Sequence, residues 1–247
     1  MIIGVIPARY AATRLPGKPL VDLCGQSMIE RVWRAASSCG ELDHVLIATD
    51  DDRVAAEARR IGAEVVMTDP SLPSGTDRCY AAISSLSTAP EIVINIQGDE
   101  PLLQGSVLSD LVHALSVGTA DVATPVSRIH EPHDLVDPNI VKVVATPSRR
   151  AVYFSRSPVP HVRSVDAARW LEHTTYWKHI GIYAYRTVAL ARHVALPTTE
   201  LERMESLEQL RLLADGVHFE CVPTDAPFIS VDTPEDAERV RRFLEAG

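Results

Sequence analysis

The 247-residue chain is 46% hydrophobic but only 5% aromatic, and it carries a net charge of −9. This length suits one large α/β domain or two small ones, and the acidic balance argues against general binding to nucleic acid or to anionic membranes. The four cysteines form neither a CxxC pair nor a zinc-like spacing, and no basic segment leads into a long apolar run, so we expect a cytoplasmic protein with free thiols.

The first predicted element is a buried strand over residues 2–8, an apolar run rich in β-branched side chains. The loop that follows carries three cations, Arg9, Arg14 and Lys18. In an open α/β sheet, ligands bind outside the carboxyl ends of the strands, so this loop is a candidate polyanion site. The alternative is a surface loop with solvated charges. The loop matches neither the GxGxxG fingerprint nor the P-loop pattern, which argues against a dinucleotide-dependent dehydrogenase.

Helices and strands then alternate regularly. Helical periodicity appears over residues 27–38 and 54–61, and short apolar strands are predicted over residues 44–48 and 64–68. This βαβαβ order predicts an α/β fold with a doubly wound, mostly parallel sheet.

A second candidate loop precedes the helix predicted over residues 77–86. Ser74 and Gly75 offer backbone N–H groups and a hydroxyl there, either for simple helix capping or for a turn that binds a base and ribose. Arg78 lies in the first helical turn, where the helix dipole disfavours a cation. We therefore expect Arg78 to have an anionic or carboxylate partner.

Two aspartates are candidate metal ligands. Asp99 follows the strongly apolar strand predicted over residues 91–96, on the side of the sheet where ligands bind. Asp232 precedes a capping box formed by Thr233 and Asp236, so capping does not account for it. Mg²⁺ takes one or two carboxylates together with waters and substrate phosphate oxygens. For Asp99, helix capping is the alternative role.

The regular alternation ends near residue 127. Short strands are predicted over residues 140–145 and 151–154, followed by a proline-rich stretch, and this irregularity predicts a subdomain inserted into the sheet order. We expect this subdomain to span residues 127–214, with a nucleotide-binding core over residues 1–126 and 215–247.

Two later elements carry polar side chains. An alternating strand over residues 179–186 places His179 and Tyr183 on one face, which is either a partly wet sheet surface or the wall of a polar pocket. A single amphipathic helix is predicted over residues 199–214, with Glu208 and Gln209 beside its aliphatic stripe. That stripe belongs either to the core or to an interface with a partner subunit.

Nine motifs, in this order and at these spacings, resemble the 3-deoxy-manno-octulosonate cytidylyltransferase family. They are VIPARYAATRLPGKPL, ATDD, PSGTDR, NIQGDEP, PNIVKVV, YFSRSPVP, KHIGIYAY, LERMESLEQLR and VDTPEDAERVR. The resemblance runs from residue 2 to about residue 243, and residues 161–175 are its least family-like part.

The resemblance implies a single cytidylyltransferase domain with a Rossmann-like, nucleotide-diphospho-sugar transferase-like sheet and an inserted acceptor and dimerisation subdomain. The implied reaction converts CTP and 3-deoxy-D-manno-octulosonate (Kdo) into CMP-Kdo and pyrophosphate for lipopolysaccharide biosynthesis. It also implies Mg²⁺ as cofactor, a cytoplasmic homodimer, and no nucleic-acid or membrane partner.

The resemblance also implies roles for individual residues. It assigns catalysis to Lys18, Asp99, Asp232 and Arg14, with Asp99 and Asp232 as the metal ligands. The nucleotide would be held by Ala8, Arg9, Arg14, Lys18, Ser74, Gly75, Arg78 and Gln97. The pocket for the acceptor sugar would be lined by Gln97, Arg156, His179, Tyr183, Glu208 and Gln209.

Within that reading, Arg156 is expected to pair with the Kdo carboxylate. His179 is expected to form hydrogen bonds in the pocket rather than act as a catalytic base, because no carboxylate that would orient it is evident. Two alternatives remain: activation of a related acid sugar, such as 8-amino-Kdo or sialic acid, and a non-catalytic nucleotide-sensing module.

Overall fold

The computed structural model describes residues 1–11 and 15–246. The chain divides into two compact units, the first formed by Met1–Ser109 and Ala226–Gly247 and the second by Asp110–Asp225. In the described part of the chain, no helix is both long and apolar enough to cross a membrane.

The strands of the described residues are β1 (Ile2–Ala8), β2 (His44–Thr49), β3 (Glu64–Met67), β4 (Ile92–Asn95), β5 (Val122–Arg128), β6 (Lys142–Ala145), β7 (Ala151–Ser155), β8 (Trp177–His179), β9 (Tyr183–Arg186) and β10 (Phe219–Pro223). The helices are α1 (Met28–Ser37), α2 (Asp52–Arg60), α3 (Gly75–Ser84), α4 (Gly105–Val117), α5 (Pro132–Val136), α6 (Trp170–His173), α7 (Thr187–Ala195), α8 (Glu200–Glu205), α9 (Gln209–Ala214) and α10 (Pro234–Ala246).

The sheet of the first unit is parallel, with strand order β3-β2-β1-β4. The alternation of apolar runs and amphipathic helices explains this order, because parallel strands need helical crossovers between them. Ile3, Val5 and Ile6 of β1 are at most 1% exposed, as expected for a central strand. The carboxyl ends of β1, β2 and β4 therefore present their following loops at the same edge of this sheet.

Side-chain caps fix where the helices of the first unit begin. Ser27 accepts a hydrogen bond from the backbone N–H of Glu30 at the start of α1, and Asp51 accepts one from Arg53 at the start of α2. Such caps stabilise a helix by about 1 kcal/mol each. Thr233 and Asp236 bond reciprocally before α10, which confirms the predicted capping box.

The sheet of the second unit is mixed. β10 runs parallel to β5 along one edge, and β8 and β9 pair antiparallel with β5 along the other. β6 pairs antiparallel with both β8 and β7. The predicted α/β fold with a mostly parallel sheet is confirmed, while its antiparallel pairs are concentrated in this unit.

The single strand predicted over residues 179–186 is wrong, because it is two strands, β8 and β9. Between them the backbone turns sharply, with the N–H of Ile182 donating to the carbonyl of Ile180 over 2.7 Å. The Thr124 hydroxyl of β5 lies within hydrogen-bond distance of the carbonyl oxygens of Ile180 and Ile182, at 3.1 and 2.8 Å.

The single helix predicted over residues 199–214 is also wrong, because it breaks into α8 and α9 at Ser206. Ser206 has a φ of 51°, which is left-handed and ends a helix. The break divides the aliphatic stripe, since Leu207 and Leu210 are 6% and 0% exposed whereas Leu201 and Met204 are 42% and 74% exposed. One half of the stripe is therefore core and the other half is surface.

Candidate active site

Three distant segments of the first unit converge on one ammonium group. Nζ of Lys18 donates to Oδ2 of Asp99 over 2.7 Å and to Oδ1 of Asp232 over 3.0 Å. Lys18 begins a short 3₁₀ turn, Asp99 lies in the loop after β4, and Asp232 lies just before α10. We call these three residues the Lys18 cluster. It brings together a cation and two carboxylates that the sequence offered as separate candidates.

Three backbone segments pack closely at this edge of the sheet. Pro7, near the end of β1, lies against two glycines, Gly75 at the start of α3 and Gly98 beside Asp99. A Cβ at Gly75 would lie 3.3 Å from Cγ of Pro7, and a Cβ at Gly98 would lie 3.1 Å from the carbonyl oxygen of Pro7. The absence of side chains at these two positions lets the loops after β1 and β4 and the start of α3 approach one another.

The Lys18 cluster is charged and partly open to solvent. The side chains of Lys18, Asp99 and Asp232 are 18%, 24% and 39% exposed. Burial acts to lower the pKa of the Lys18 ammonium, but the charges and hydrogen bonds of Asp99 and Asp232 outweigh it, so the pKa is raised above 10.5. Lys18 is therefore positively charged at neutral pH.

The carboxylates of the Lys18 cluster fit a magnesium ion. Asp99 and Asp232 each bring an oxygen to the same cation, and carboxylate oxygens are the ligands that Mg²⁺ prefers. Among the residues that the structure describes, no group of three or more His, Cys, Asp or Glu side chains could hold a metal by itself. Two carboxylates would leave the other coordination positions of a bound Mg²⁺ to waters and substrate phosphates.

Arg78 has the acidic partner that the helix-dipole argument predicted. Its guanidinium is fully buried, donates to Oδ2 of Asp50 over 2.8 Å, and also contacts Oγ1 of Thr68. Asp50 and Thr68 directly follow β2 and β3, so this ion pair ties the start of α3 to two strand ends. Nε of Arg78 is buried and has no hydrogen-bond partner within the described chain.

The other predicted nucleotide residues within the described chain lie along the same sheet edge. Ser74 caps α3, since its Oγ accepts from the backbone N–H of Asp77, which supports the capping role without testing the nucleotide role. Arg9 donates through its guanidinium to the carbonyl of Leu72, and Ala8 is the last residue of β1. Gln97 lies between β4 and Asp99. Arg14 lies outside the described residues.

His179 of the second unit is buried and neutral. Burial lowers the pKa of its imidazole from 6.5 to about 3. Nε2 lies 3.1 Å from Oγ1 of Thr124, and the ring packs edge-on against Phe154, with centroids 5.1 Å apart, and beside Tyr183 at 5.3 Å. We call Thr124, Phe154, His179 and Tyr183 the His179 cluster. Its geometry agrees with a hydrogen-bonding role, because an imidazole with so low a pKa is a poor base at neutral pH.

Two further acceptor-sugar candidates, Glu208 and Gln209, lie at the start of α9. The charge of Glu208 acts on a third candidate, Tyr183 of β9. Burial, followed by this charge, raises the pKa of Tyr183 well above 10, so its phenol stays protonated. Gln209 is 4% exposed, and its Nε2 has no hydrogen-bond partner within residues 1–11 and 15–246. A buried amide with unused N–H groups is costly unless something else accepts from it.

Arg156 is held by backbone carbonyls. Its guanidinium donates to the carbonyls of Glu205, Pro138 and Ser206 over 2.7, 2.9 and 3.3 Å. In return, the Glu205 carboxylate accepts from the backbone N–H of Arg156 and from the hydroxyl of Ser155, over 2.9 and 2.7 Å. Three of the five guanidinium N–H groups are thus used, and the predicted contact with a substrate carboxylate falls to the remaining two.

Sequence reasoning missed three residues that position the candidates. Asp50 holds Arg78, Glu205 holds Arg156, and Thr124 contacts His179. The charge of Arg78 in a helical first turn signalled a partner but not its identity. Glu205 and Thr124 gave no local signal, because an acid on an amphipathic helix and a threonine in a strand are ordinary there.

Known proteins are similar to this chain over nearly its whole length. A cytidylyltransferase family model matches residues 3–219. The 3-deoxy-manno-octulosonate cytidylyltransferase of Cytophaga hutchinsonii is 43% identical over 97% of this chain and 96% of its own length. The enzyme of the same name from Cellvibrio japonicus is 45% identical, with 98% of each chain covered.

A solved structure extends the similarity to the fold. A CMP:2-keto-3-deoxy-manno-octonic acid synthetase complexed with CTP has a TM-score of 0.91 and 37% identity to this chain, covering 99% of it and 98% of the solved chain. Taken with the sequence relatives, this match shows that the chain belongs to the 3-deoxy-manno-octulosonate cytidylyltransferase family.

Proposed function

We propose that this protein transfers CMP from CTP to Kdo and releases pyrophosphate, with Mg²⁺, as a cytoplasmic homodimer that supplies CMP-Kdo for lipopolysaccharide biosynthesis. The observation that carries the proposal is the Lys18 cluster, in which a cation and two carboxylates from three distant segments meet in a chain of this family. Simple nucleotide binding would not require two converging carboxylates beside a phosphate-binding loop.

The proposed chemical step is attack by the C2 hydroxyl of Kdo on the α-phosphorus of CTP, with pyrophosphate as the leaving group. Negative charge grows on the leaving group, so catalysis depends mainly on positioning and electrostatic stabilisation. Asp99 and Asp232 would hold Mg²⁺, which when bound polarises the phosphoryl group and lowers the pKa of a nearby hydroxyl.

Lys18 supplies a fixed positive charge to the triphosphate. Its ammonium is already held on the side of the sheet from which the loops after β1 and β4 emerge, so little reorganisation is needed when charge develops. A compact ammonium can follow a phosphate whose charge changes during the step, and the guanidinium of Arg9 adds the capacity for bidentate contacts.

The second unit supplies neutral hydrogen-bonding groups for the acceptor. His179 and Tyr183 are both uncharged at neutral pH, and Gln209 has amide N–H groups to donate. Such a set suits the hydroxyl groups of a sugar. Arg156 adds a positive charge for the acceptor carboxylate.

The homodimer part of the proposal is supported by the surface half of the aliphatic stripe. Met204 and Leu201 on α8 expose 74% and 42% of their area, and Val188 at the start of α7 exposes 81%. Large apolar side chains exposed to this degree favour an interface. The mass in solution tests this point, and Met204→Glu should shift a dimer towards monomer.

The experiment that tests the proposal measures pyrophosphate release from CTP with Kdo, 8-amino-Kdo and sialic acid, each with and without Mg²⁺. We expect turnover with Kdo that requires Mg²⁺, and little with sialic acid. A higher kcat/KM for 8-amino-Kdo would change the assigned sugar. CTP binding without turnover for any acid sugar would support the non-catalytic alternative, and the Asp99→Asn variant serves as the background control.

A further inference from the structure

The hydroxyl of Thr124 has a single proton and three polar neighbours. Its Oγ1 lies 2.8 Å from the carbonyl oxygen of Ile182, 3.1 Å from that of Ile180, and 3.1 Å from Nε2 of His179. Carbonyl oxygens only accept hydrogen bonds, so the hydroxyl proton must point towards them. Thr124 then presents only lone pairs to His179.

This proton count fixes the tautomer of His179. Nε2 must be the donor, because its neighbour on Thr124 can only accept. A neutral imidazole carries one N–H group, so Nδ1 keeps a bare lone pair. Within the described residues, Nδ1 has no hydrogen-bond partner, although His179 retains 8% of its exposure.

The surroundings keep the ring neutral and fixed in orientation. Thr124 and Phe154 are fully buried, and Phe154 contacts the ring edge-on at 5.1 Å. Burial lowers the pKa of His179 to about 3, so a doubly protonated ring is not populated at neutral pH. An imidazole clamped at Nε2 and packed on its side leaves Nδ1 as the ring nitrogen that can accept a further hydrogen bond.

We propose that Thr124 is a positioning residue that locks His179 in the Nε2–H tautomer, so that Nδ1 accepts a hydrogen bond from a hydroxyl group of the acceptor sugar. The inference rests on the proposed function and deepens it, because a bare Nδ1 accepts from a hydroxyl but repels a carboxylate. It assigns the hydroxyl-bearing part of the sugar, and not its carboxylate, to His179.

The tautomer can be measured directly in the full chain without substrate. Long-range ¹H–¹⁵N spectra of ¹⁵N-labelled protein distinguish Nδ1–H, Nε2–H and imidazolium forms, and the His179 signals are those lost in the His179→Gln variant. We expect a protonated Nε2 and an unprotonated Nδ1, with no change between pH 8 and pH 5.5. An Nδ1–H tautomer, or an imidazolium in this range, overturns the proposal.

Paired variants then connect the tautomer with substrate binding. Thr124→Val removes the hydroxyl, and we expect a mixed or reversed tautomer, a KM for Kdo raised at least tenfold, and a KM for CTP within twofold of the wild type. Thr124→Ser keeps the hydroxyl and should restore the Nε2–H tautomer and the KM for Kdo to within threefold of the wild type.

Each outcome of this pair has a defined meaning. A wild-type KM for Kdo in Thr124→Val, or a serine variant as impaired as the valine variant, overturns the positioning role. If Thr124→Val does not fold, the tautomer in the wild-type spectrum and the KM of Thr124→Ser for Kdo still test the proposal. Absence of turnover with every acid sugar defeats the proposed function and the sugar contact together, whereas the spectrum separately decides the tautomer.

Discussion

The Lys18 cluster and the His179 cluster differ in charge, exposure and composition. The first holds three full charges on side chains that are 18% to 39% exposed, and the second holds a neutral ring that is 8% exposed among aromatic neighbours. Charged groups in partial contact with water suit ions and phosphates, which arrive charged. Buried neutral groups suit hydroxyls, which need directional partners but no countercharge. We propose that this chemical difference divides the recognition of the two substrates between the two clusters.

The largest effect should follow loss of a carboxylate from the Lys18 cluster. Asp99→Asn should lower kcat roughly 10³-fold, about 4 kcal/mol, while the fold is kept, because a neutral amide is a poor magnesium ligand. Turnover measured with CTP and Kdo at saturating Mg²⁺ checks this. Turnover close to the wild type would remove Asp99 from the metal site, and circular dichroism controls for folding.

The next effect should come from Glu205, which supports the second unit's candidates without belonging to either cluster. Glu205→Ala removes the acceptor for the Arg156 backbone and the Ser155 hydroxyl, so the free energy of unfolding should fall by about 2 kcal/mol. Chemical denaturation measures this, and the KM for Kdo should rise while that for CTP stays constant. Glu200→Ala, at an exposed position on the same helix, is the matched control, and an equal loss there would contradict the prediction.

Removing the cation of the Lys18 cluster should cost less than removing its carboxylate. Lys18→Ala should lower kcat/KM for CTP at least tenfold, about 1.4 kcal/mol of transition-state stabilisation, because a positive charge proposed to bind the triphosphate is lost. The loss should stay below that of Asp99→Asn because the other proposed phosphate-binding groups remain. Steady-state kinetics against CTP concentration measure the change. Lys18→Arg keeps the charge and should retain more activity. A loss below tenfold in the alanine variant would indicate that the loop after β1 is a surface loop with solvated charges.

The smallest effect should appear in the pH dependence of stability. The unfolded chain protonates His179 below pH 6.5, but the folded protein does not until about pH 3, so wild-type stability falls as pH drops through this window. Between pH 6 and pH 5, the wild type should lose about 1 kcal/mol more unfolding free energy than His179→Gln. Denaturation curves at both pH values test this, and parallel changes in the two proteins would disagree with a buried neutral ring.

Much of the first unit could be predicted from local patterns. β1 was predicted over the same residues that the structure shows, and Lys18 and Asp99 stood out because each follows a buried strand of a parallel sheet. Asp232 stood out because capping did not account for it. What linked it to Lys18, 214 positions away, was the family resemblance, since no periodicity connects residues so distant in the chain.

The second unit was predicted less well because its structure depends on tertiary contacts. The break at Ser206 separates two stretches whose periodicity reads as one helix, and what holds it is the Arg156 guanidinium on the carbonyls of Glu205 and Ser206. Likewise, the split between β8 and β9 follows from carbonyls that turn to Thr124. Arg156 and Thr124 are far in sequence from the elements they contact. Local propensity therefore predicts one continuous helix and one continuous strand where the structure has two of each.

The packing of Gly75 and Gly98 on Pro7 has a consequence for how this edge of the sheet tolerates mutation. An added methyl group at either glycine would press on the same proline, at 3.3 Å from its ring or 3.1 Å from its carbonyl. Once one substitution has displaced Pro7, the second meets altered space, so the two costs do not add. The start of α3 and the loop after β4 thereby share one mechanical constraint at Pro7.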